Sequence, residues 1–222
     1  MMKQLLGLKC ALAIVGLLAI PLTAQADDAT AKPRVKFNTT LGDMIIELDA
    51  EKAPITVANF ISYVEDGYYD GTIFHRVIPN FMIQGGGFTE DVEKKTEGLK
   101  APIKLESDNG LKNVKYAIAM ARGTPNSATS QFFINVVDNA RLDHREGFPG
   151  YAAFGMVVEG QDVVEKIRTT KCILHEKYKT ADGAVTPKEP VIIKKATVVG
   201  PDEGTTKNQD KSEEKPEEKN DE

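Results

Sequence analysis

The chain is poor in cysteine and histidine, the residues that form disulfides and most zinc sites, and it lacks tryptophan. Its 222 residues include two cysteines, three histidines and no tryptophan. Cys10 lies in an N-terminal segment that we expect to be removed, which leaves Cys172 alone and excludes an intramolecular disulfide in the mature chain. A lipid anchor on Cys10 is disfavoured because this cysteine precedes the apolar run. We interpret Cys172 as a packing residue or an unreactive surface thiol.

The N-terminal apolar run, Ala11–Ile20, is too short for a membrane helix, which needs about 20 apolar residues. Lys3 and Lys9 precede the run, and the small-residue sequence Ala24-Gln25-Ala26 follows it. These features predict a secretory signal peptide over residues 1–26, cleaved after Ala26. We therefore expect a periplasmic product that has no membrane attachment after cleavage.

Outside the C-terminus the mature chain has only a small excess of negative charge. Removal of residues 1–26 takes away two lysines and no acid, so the net charge changes from −5 to −7. Residues 201–222 hold nine acids and four lysines and contain no aliphatic or aromatic residue, so we expect a disordered acidic tail. The rest of the mature chain is nearly neutral, which argues against a nucleic-acid partner. Residues 27–33 read as a flexible leader, and residues 34–200 have the size of one domain.

Short strands dominate this domain. Apolar residues alternate with polar ones around a hairpin turn at Thr40–Asp43, and a period typical of helices follows Pro54 and ends near Gly67. A second helix is predicted over Asp162–Arg168. The other predicted strands are 116–121, 131–137, 153–158 and 191–199. Many short strands with glycine-rich turns and two helices favour a mainly β fold, a closed antiparallel barrel capped by helices. Periodicity alone does not distinguish a barrel from a sandwich.

Residues 74–87 combine one arginine, large apolar side chains, one glutamine and a glycine run. Runs 73–77 and 81–84 predict two strands joined by a turn at Pro79-Asn80. Alternation predicts three pairs that share a strand face: Phe74 with Arg76, His75 with Val77, and Met82 with Gln84. An arginine and a glutamine beside apolar side chains indicate chemistry by hydrogen bonding and shape.

None of the three histidines has the sequence context of a catalytic base or of a metal ligand. His75 is interpreted as a core histidine, on the strand face opposite Arg76. His144 and His175 lack the spacing of metal ligands, so no metal is expected.

Two further chemistries fit poorly. No G-x-S-x-G elbow surrounds Ser127 or Ser130, which disfavours a hydrolase triad. Gly85–Gly87 is not followed by Lys-Ser/Thr, which disfavours a phosphate loop, and a glycine run after a strand favours close backbone approach instead.

The domain resembles the cyclophilins, the cyclosporin-binding class of peptidyl-prolyl isomerases, and in particular their bacterial periplasmic branch. The resemblance spans residues 34–200 and rests on separated motifs in the same order: Phe74–Pro79, Phe81–Gly86, Ser130–Ile134, Leu142-Asp143 and Phe154-Gly155. It implies a closed eight-stranded antiparallel β-barrel with an α-helix over each end. It also implies isomerase activity without a cofactor or metal, acting on proline-containing unfolded or extended polypeptides.

The same resemblance implies roles for individual residues. Arg76 corresponds to the catalytic arginine, and Gln84 would brace it. Substrate would be bound by the proline pocket (Phe81, Met82, Phe133, Leu142), by polar Gln131, by the segment Ala121-Arg122, whose contacts are expected through the backbone, and by Tyr151.

The chain departs from better-known members at Arg141, where they carry a tryptophan, so we expect weak cyclosporin binding. We expect a monomer. A chaperone that binds proline segments with little isomerase activity is the alternative function, and a structural subunit that docks through its acidic tail is a further one.

Overall fold

The computed structural model describes residues 32–200. The predicted signal peptide, the leader up to residue 31 and the acidic tail lie outside the described residues. The last two residues of the predicted leader 27–33 are not flexible: Nζ of Lys32 pairs with Asp49 at 2.9 Å, and the Pro33 carbonyl accepts from the amide of Leu48 at 2.8 Å. In chain order, the elements are β1 (Arg34–Thr39), β2 (Gly42–Leu48), α1 (Pro54–Glu65), β3 (Thr72–Ile78), β4 (Met82–Thr89), β5 (Ala117–Met120), β6 (Phe132–Asn135), a 3-10 turn (Ala140–Leu142), β7 (Ala153–Glu159), α2 (Gln161–Arg168), β8 (Cys172–Ile173), β9 (Thr186–Pro187) and β10 (Ile192–Val199).

Eight of these strands form a closed barrel in the order β1-β10-β3-β4-β6-β5-β7-β2, and every neighbouring pair is antiparallel. The short strands β8 and β9 form a separate two-stranded sheet. The predicted closed barrel with two helices is therefore confirmed, and the sandwich is excluded. Closure pairs both edges of the sheet, so the barrel itself presents no open strand edge.

The β1–β2 hairpin shows how local sequence starts the barrel. The Thr39 hydroxyl donates to the carbonyl of Gly42 at 2.6 Å and accepts from the amide of Leu41 at 3.1 Å, which closes the predicted turn. Gly42 has φ +129°, and a Cβ there would lie 2.9 Å from Val163 on α2. Because both the backbone angle and the packing of α2 exclude a side chain, glycine is required at this position.

Helix α1 begins at Pro54, whose missing N–H is not needed in the first turn, and Val57, Phe60 and Val64 on its inner face are buried. The helix has no side-chain cap from its own N-cap residue. Instead, the Glu106 carboxylate accepts from the amides of Ile55 at 3.1 Å and Thr56 at 2.8 Å. A residue about 50 positions later thus satisfies first-turn donors that the helix leaves open.

Aromatic rings from separate elements meet in the barrel core. Phe60 of α1 lies 6.0 Å from Phe37, 5.8 Å from Phe132 and 5.1 Å from Phe154, measured between ring centroids. All four side chains are fully buried. Since these partners come from β1, β6 and β7, α1 closes over several strands at once, as expected of a helix that covers a barrel.

Helix α2 confirms the predicted helix over Asp162–Arg168, and it buries Val163, Val164 and Ile167. Cys172 is a free cysteine, half-buried against the core, and burial raises the pKa of its thiol. The packing interpretation of this residue therefore agrees with its position. Neither helix within residues 32–200 is long and apolar enough to cross a membrane.

Candidate active site

Strands β3 and β4 carry Arg76 and Gln84 in register with each other. One step earlier in the ladder Phe74 pairs with Gly85, so two residues of β3 advance against one residue of β4. This bulge at His75 breaks the alternation of side chains. The prediction that Phe74 and Arg76 share a face is consequently wrong. Phe74 packs in the main core, edge-on to Phe132 at 6.0 Å, whereas Arg76 lies at a surface cavity.

The cavity has a volume of about 180 Å³. Its lining comprises nine of the ten residues that the sequence proposed: Arg76, Phe81, Met82, Gln84, Ala121, Arg122, Phe133, Leu142 and Tyr151. The tenth, Gln131, contacts Gln84 from the neighbouring strand end, where the Gln84 Nε2 donates to the Gln131 Oε1 at 2.9 Å. The structure thus brings all ten together from segments far apart in the chain.

The apolar wall of the cavity is a cluster distinct from the barrel core. Met82, Phe133 and Leu142 are buried in it, and Phe81 and Tyr151 pack against it. Their strand neighbours Ile83 and Ile134 belong to the main core. Because successive strand residues point to opposite faces, this part of the barrel wall has the core on one face and the cavity on the other.

Arg76 contacts partners on both sides of its guanidinium. Its Nη1 donates to Oε1 of Gln84 at 3.1 Å, and Sδ of Met82 lies 3.9 Å from the same nitrogen. Its Nε and Nη2 both donate to Oδ2 of Asp182, at 2.8 and 2.6 Å. Asp182 was not predicted from the sequence, because it lies 106 residues from Arg76 in a loop without a recognisable motif. Only the folded chain brings this acid to the site.

The Arg122 side chain makes contacts of its own beside the cavity. Its Nε donates to the carbonyl of Gly150 at 2.9 Å, and its Nη2 donates to the same oxygen. The guanidinium carbon also lies 4.6 Å from the ring centroid of Tyr151, within the range of a cation–π contact. The side chain therefore links the loop after β5 to the loop before β7, and backbone contacts of this segment with substrate stay a prediction.

Arg141 lies beside the cavity. Its guanidinium carbon is 4.4 Å from the ring centroid of Phe81, and its carbonyl accepts from Nη1 of Arg145 at 2.8 Å. An exposed cation thus covers one face of a ring that lines the cavity.

His75 has the structural position that the sequence predicted. It is fully buried between the rings of Phe88 and Tyr178, at centroid distances of 4.3 and 5.1 Å. Burial, with the charge of adjacent Arg76 as a smaller cause, lowers the pKa of His75 to about 3. The imidazole is therefore neutral at physiological pH and packs as an aromatic ring. Within residues 32–200 no group of three His, Cys, Asp or Glu side chains could hold a metal ion.

The glycine run serves close packing. A Cβ on Gly86 would lie 2.8 Å from Tyr69, and a Cβ on Gly87 would lie 2.4 Å from Gln131. Contacts this short exclude side chains. The run therefore lets β4 pass next to the core and next to Gln131, which agrees with the predicted close approach.

A second cavity of about 400 Å³ adjoins this strand and shares Gln84 and Arg122 with the first.

Comparison with known proteins agrees with this architecture. Residues 34–198 match the family described as "Cyclophilin type peptidyl-prolyl cis-trans isomerase/CLD". The chain is 51% identical over 170 residues to peptidyl-prolyl cis-trans isomerase cyp18 of Streptomyces antibioticus, covering 75% of this chain and 98% of that protein. It is 44% identical over 188 residues to peptidyl-prolyl cis-trans isomerase A of Dickeya dadantii, covering 84% and 95%.

A solved structure shows the same fold. It is a Cryptosporidium parvum cyclophilin type isomerase crystallised in the presence of the dipeptide Ala-Pro. The two chains superpose with a TM-score of 0.59 at 25% identity, over 75% of this chain and 99% of that one. The chain belongs to the cyclophilin type peptidyl-prolyl cis-trans isomerase family, a family of enzymes.

Proposed function

We propose that the protein accelerates cis–trans rotation of X-Pro peptide bonds without a covalent step, with Arg76 as the catalytic residue. The observation that carries this proposal is that Arg76 lines the same cavity as an apolar wall that includes Phe81, Met82 and Phe133. A proline ring is apolar, so it fits such a wall, and its peptide nitrogen would then lie near the charged donor.

The chemistry needs a donor of this kind. Amide resonance imposes a rotation barrier of roughly 18–20 kcal/mol on the peptide bond. When the bond twists, the prolyl nitrogen loses conjugation and its lone pair becomes a hydrogen-bond acceptor. Arg76 donates to that lone pair mainly in the twisted state, so the interaction stabilises the transition state more than the ground state.

Besides a donor, the reaction requires that the proline ring be held still, and the wall of the cavity would hold it. Phe133 and Tyr151 meet edge-on at 5.6 Å between centroids, and Leu142 closes the same buried cluster. Rings and branched side chains packed in this way move little. The proline ring is thus held while the preceding carbonyl rotates.

The proposed place of action is the periplasm, and the proposed substrates are proline-containing segments of exported proteins as they fold. This part of the proposal rests on the N-terminal pattern of Lys3, Lys9, the run Ala11–Ile20 and the cleavage sequence that ends at Ala26. In the same proposal residues 27–31 act as a flexible leader and residues 201–222 as a solubilising tail. Mass spectrometry of the protein from a periplasmic extract tests the cleavage site.

The decisive experiment is a protease-coupled assay of cis–trans exchange in a short X-Pro peptide, with the unmodified protein and with Arg76→Ala. Loss of a donor that acts in the transition state costs about 10²–10³-fold in rate, so we expect a loss of this size. Arg34→Ala is the matched control, because Arg34 pairs with Glu47 on β1 and β2 and does not line the cavity. Peptide binding without exchange would favour the chaperone function, and full activity of Arg76→Ala would refute the assigned role.

A further inference from the structure

The loop between β8 and β9, residues 174–185, reaches the candidate active site through one side chain. Oδ2 of Asp182 accepts from Nε of Arg76 at 2.8 Å and from Nη2 at 2.6 Å. Gln84 accepts from Nη1 at 3.1 Å. Partners from two different segments therefore hold different edges of one planar guanidinium.

Asp182 is itself held in place. The Thr180 hydroxyl donates to Oδ2 of Asp182 at 3.2 Å and accepts from the Asp182 amide at 3.0 Å. Just beyond, the carbonyl of Val185 accepts from the amide of Val77 at 2.7 Å. Since Val77 follows Arg76 in β3, the loop is joined to the strand next to the residue that it contacts.

The loop has two further attachments, one to β3 and β4 and one to the segment that follows β4. The Tyr178 ring packs edge-on against His75 at 5.1 Å and against Phe88 at 5.0 Å. Lys177 pairs with Glu93 at 2.9 Å. The Tyr178 contact is with the residue that precedes Arg76 in the chain, so the loop and β3 form one packed unit around the guanidinium.

We expect the Arg76–Asp182 pair to contribute little to folding. The Arg76 and Asp182 side chains are 20% and 37% exposed, and water screens the charges of a partly exposed pair while the ordered side chains lose freedom. A free arginine side chain, in contrast, samples many rotamers, and only some of them would place a donor at the prolyl nitrogen. Holding two edges of the guanidinium removes that freedom before substrate arrives.

We propose that Asp182 is a positioning residue that fixes the plane of the Arg76 guanidinium, so that the donor edge left over faces the proline in the cavity. The proposal rests on the isomerase function proposed above. It assigns a catalytic purpose to the β8–β9 loop, and it makes Asp182 act only through Arg76.

The test compares the full-length protein with Asp182→Ala by exchange spectroscopy on an X-Pro peptide, at saturating and at low peptide concentration. Because misplacement by about 1 Å can cost up to a hundredfold, we expect turnover at saturation to fall about tenfold. We expect KM to change by less than about twofold, since the apolar wall that binds the proline ring is intact. Asp182→Ala in the Arg76→Ala background should have no further effect.

Two controls separate positioning from general effects of charge or folding. Glu176→Ala removes a carboxylate from the same loop and should leave turnover unchanged. Added formate should partly restore Asp182→Ala, because a small carboxylate can occupy the vacated position beside Arg76, and it should not restore Arg76→Ala. The Nε–H signal of Arg76 in ¹H–¹⁵N spectra should be protected from exchange in the unmodified protein and lose that protection in Asp182→Ala.

The outcomes are distinguishable. An unmodified protein without isomerase activity would overturn the proposed function and this inference with it. An active unmodified protein with unchanged turnover in Asp182→Ala would overturn this inference alone. So would higher turnover in that variant, which would mean that Asp182 restrains Arg76 from substrate.

Discussion

Arg76 and Gln84 face each other across the β3–β4 pair, and Nη1 of Arg76 donates a hydrogen bond of 3.1 Å to Oε1 of Gln84. The Gln84 amide then donates to Oε1 of Gln131 at 2.9 Å. This order fixes the orientation of the Gln84 carboxamide, because its oxygen serves the cation and its nitrogen serves the second glutamine. Gln84 is thus the central member of a three-residue polar row along the cavity.

This polar row predicts that Gln84→Leu lowers peptide turnover more than Gln131→Leu does. Gln84→Leu keeps the volume but removes the acceptor that holds Nη1 of Arg76. Because misplacement of a catalytic group by about 1 Å can cost up to a hundredfold, we expect about a tenfold loss of peptide turnover. Gln131→Leu leaves the Arg76–Gln84 bond in place and should cost less. Equal losses in the two variants, measured in the peptide assay, would contradict the ranking.

His75 predicts a pH dependence of stability. Burial lowers its pKa from 6.5 to about 3 in the folded protein. Below pH 6.5 the unfolded chain binds a proton that the folded chain does not, so the contribution of neutral His75 is complete above pH 6.5 and declines as the pH falls towards 3. The slope is about 1.4 kcal/mol per pH unit.

Urea unfolding at several pH values, with His75→Phe as the comparison, measures this contribution. A phenyl ring can occupy the same position between Phe88 and Tyr178 and does not titrate. The unmodified protein should lose stability more steeply than the variant between pH 6.5 and 4. Parallel curves would show that His75 is not the group responsible.

We expect that the domain does not depend on the acidic tail for its stability or its activity. Residues 201–222 contain no aliphatic or aromatic residue that could be buried. Deletion of these residues should therefore leave the melting temperature and the peptide turnover unchanged. Both should be measured at matched ionic strength, because the deletion removes nine acids and four lysines. A clear fall in melting temperature would mean that the tail binds to the domain.

Arg141 predicts selective resistance to cyclosporin. Arg141 stands where better-known members of the family carry a tryptophan. An arginine has donors but lacks the rigid ring of tryptophan, and its charge opposes burial against an apolar macrocycle. Here its guanidinium lies 4.4 Å from the Phe81 ring. Loss of one hot-spot aromatic costs about 2 kcal/mol or more of binding, which is over tenfold in affinity. Peptide turnover should be normal.

Titration of the unmodified protein and of Arg141→Trp with cyclosporin in the peptide assay tests this expectation. The variant should bind the macrocycle more tightly without a large gain in turnover. Tight inhibition of the unmodified protein would refute the idea, and it would mean that Arg141 does not occupy the place of the tryptophan.

Much of the fold follows from the sequence, because its elements are specified by local periodicity and turn chemistry. Alternation over Met44, Ile46 and Leu48 predicted β2, and all three side chains are buried. The position of Pro54 and the helical period after it predicted α1, which begins at Pro54. The resemblance to the cyclophilins identified the ten residues that the barrel brings together at the cavity. Seven of them lie in the motifs, and Ala121, Arg122 and Tyr151 lie outside them.

The tertiary structure alone decided three features. The bulge at His75 separates Phe74 from Arg76, Glu106 caps α1 from about 50 residues away, and Asp182 contacts Arg76 from 106 residues away. Local patterns describe how neighbours along the chain share a face, and they contain no information about the register that barrel closure imposes or about which loop side chain reaches a distant donor. Those contacts form only when the strands pair and the loops pack against the barrel, so only the folded chain shows them.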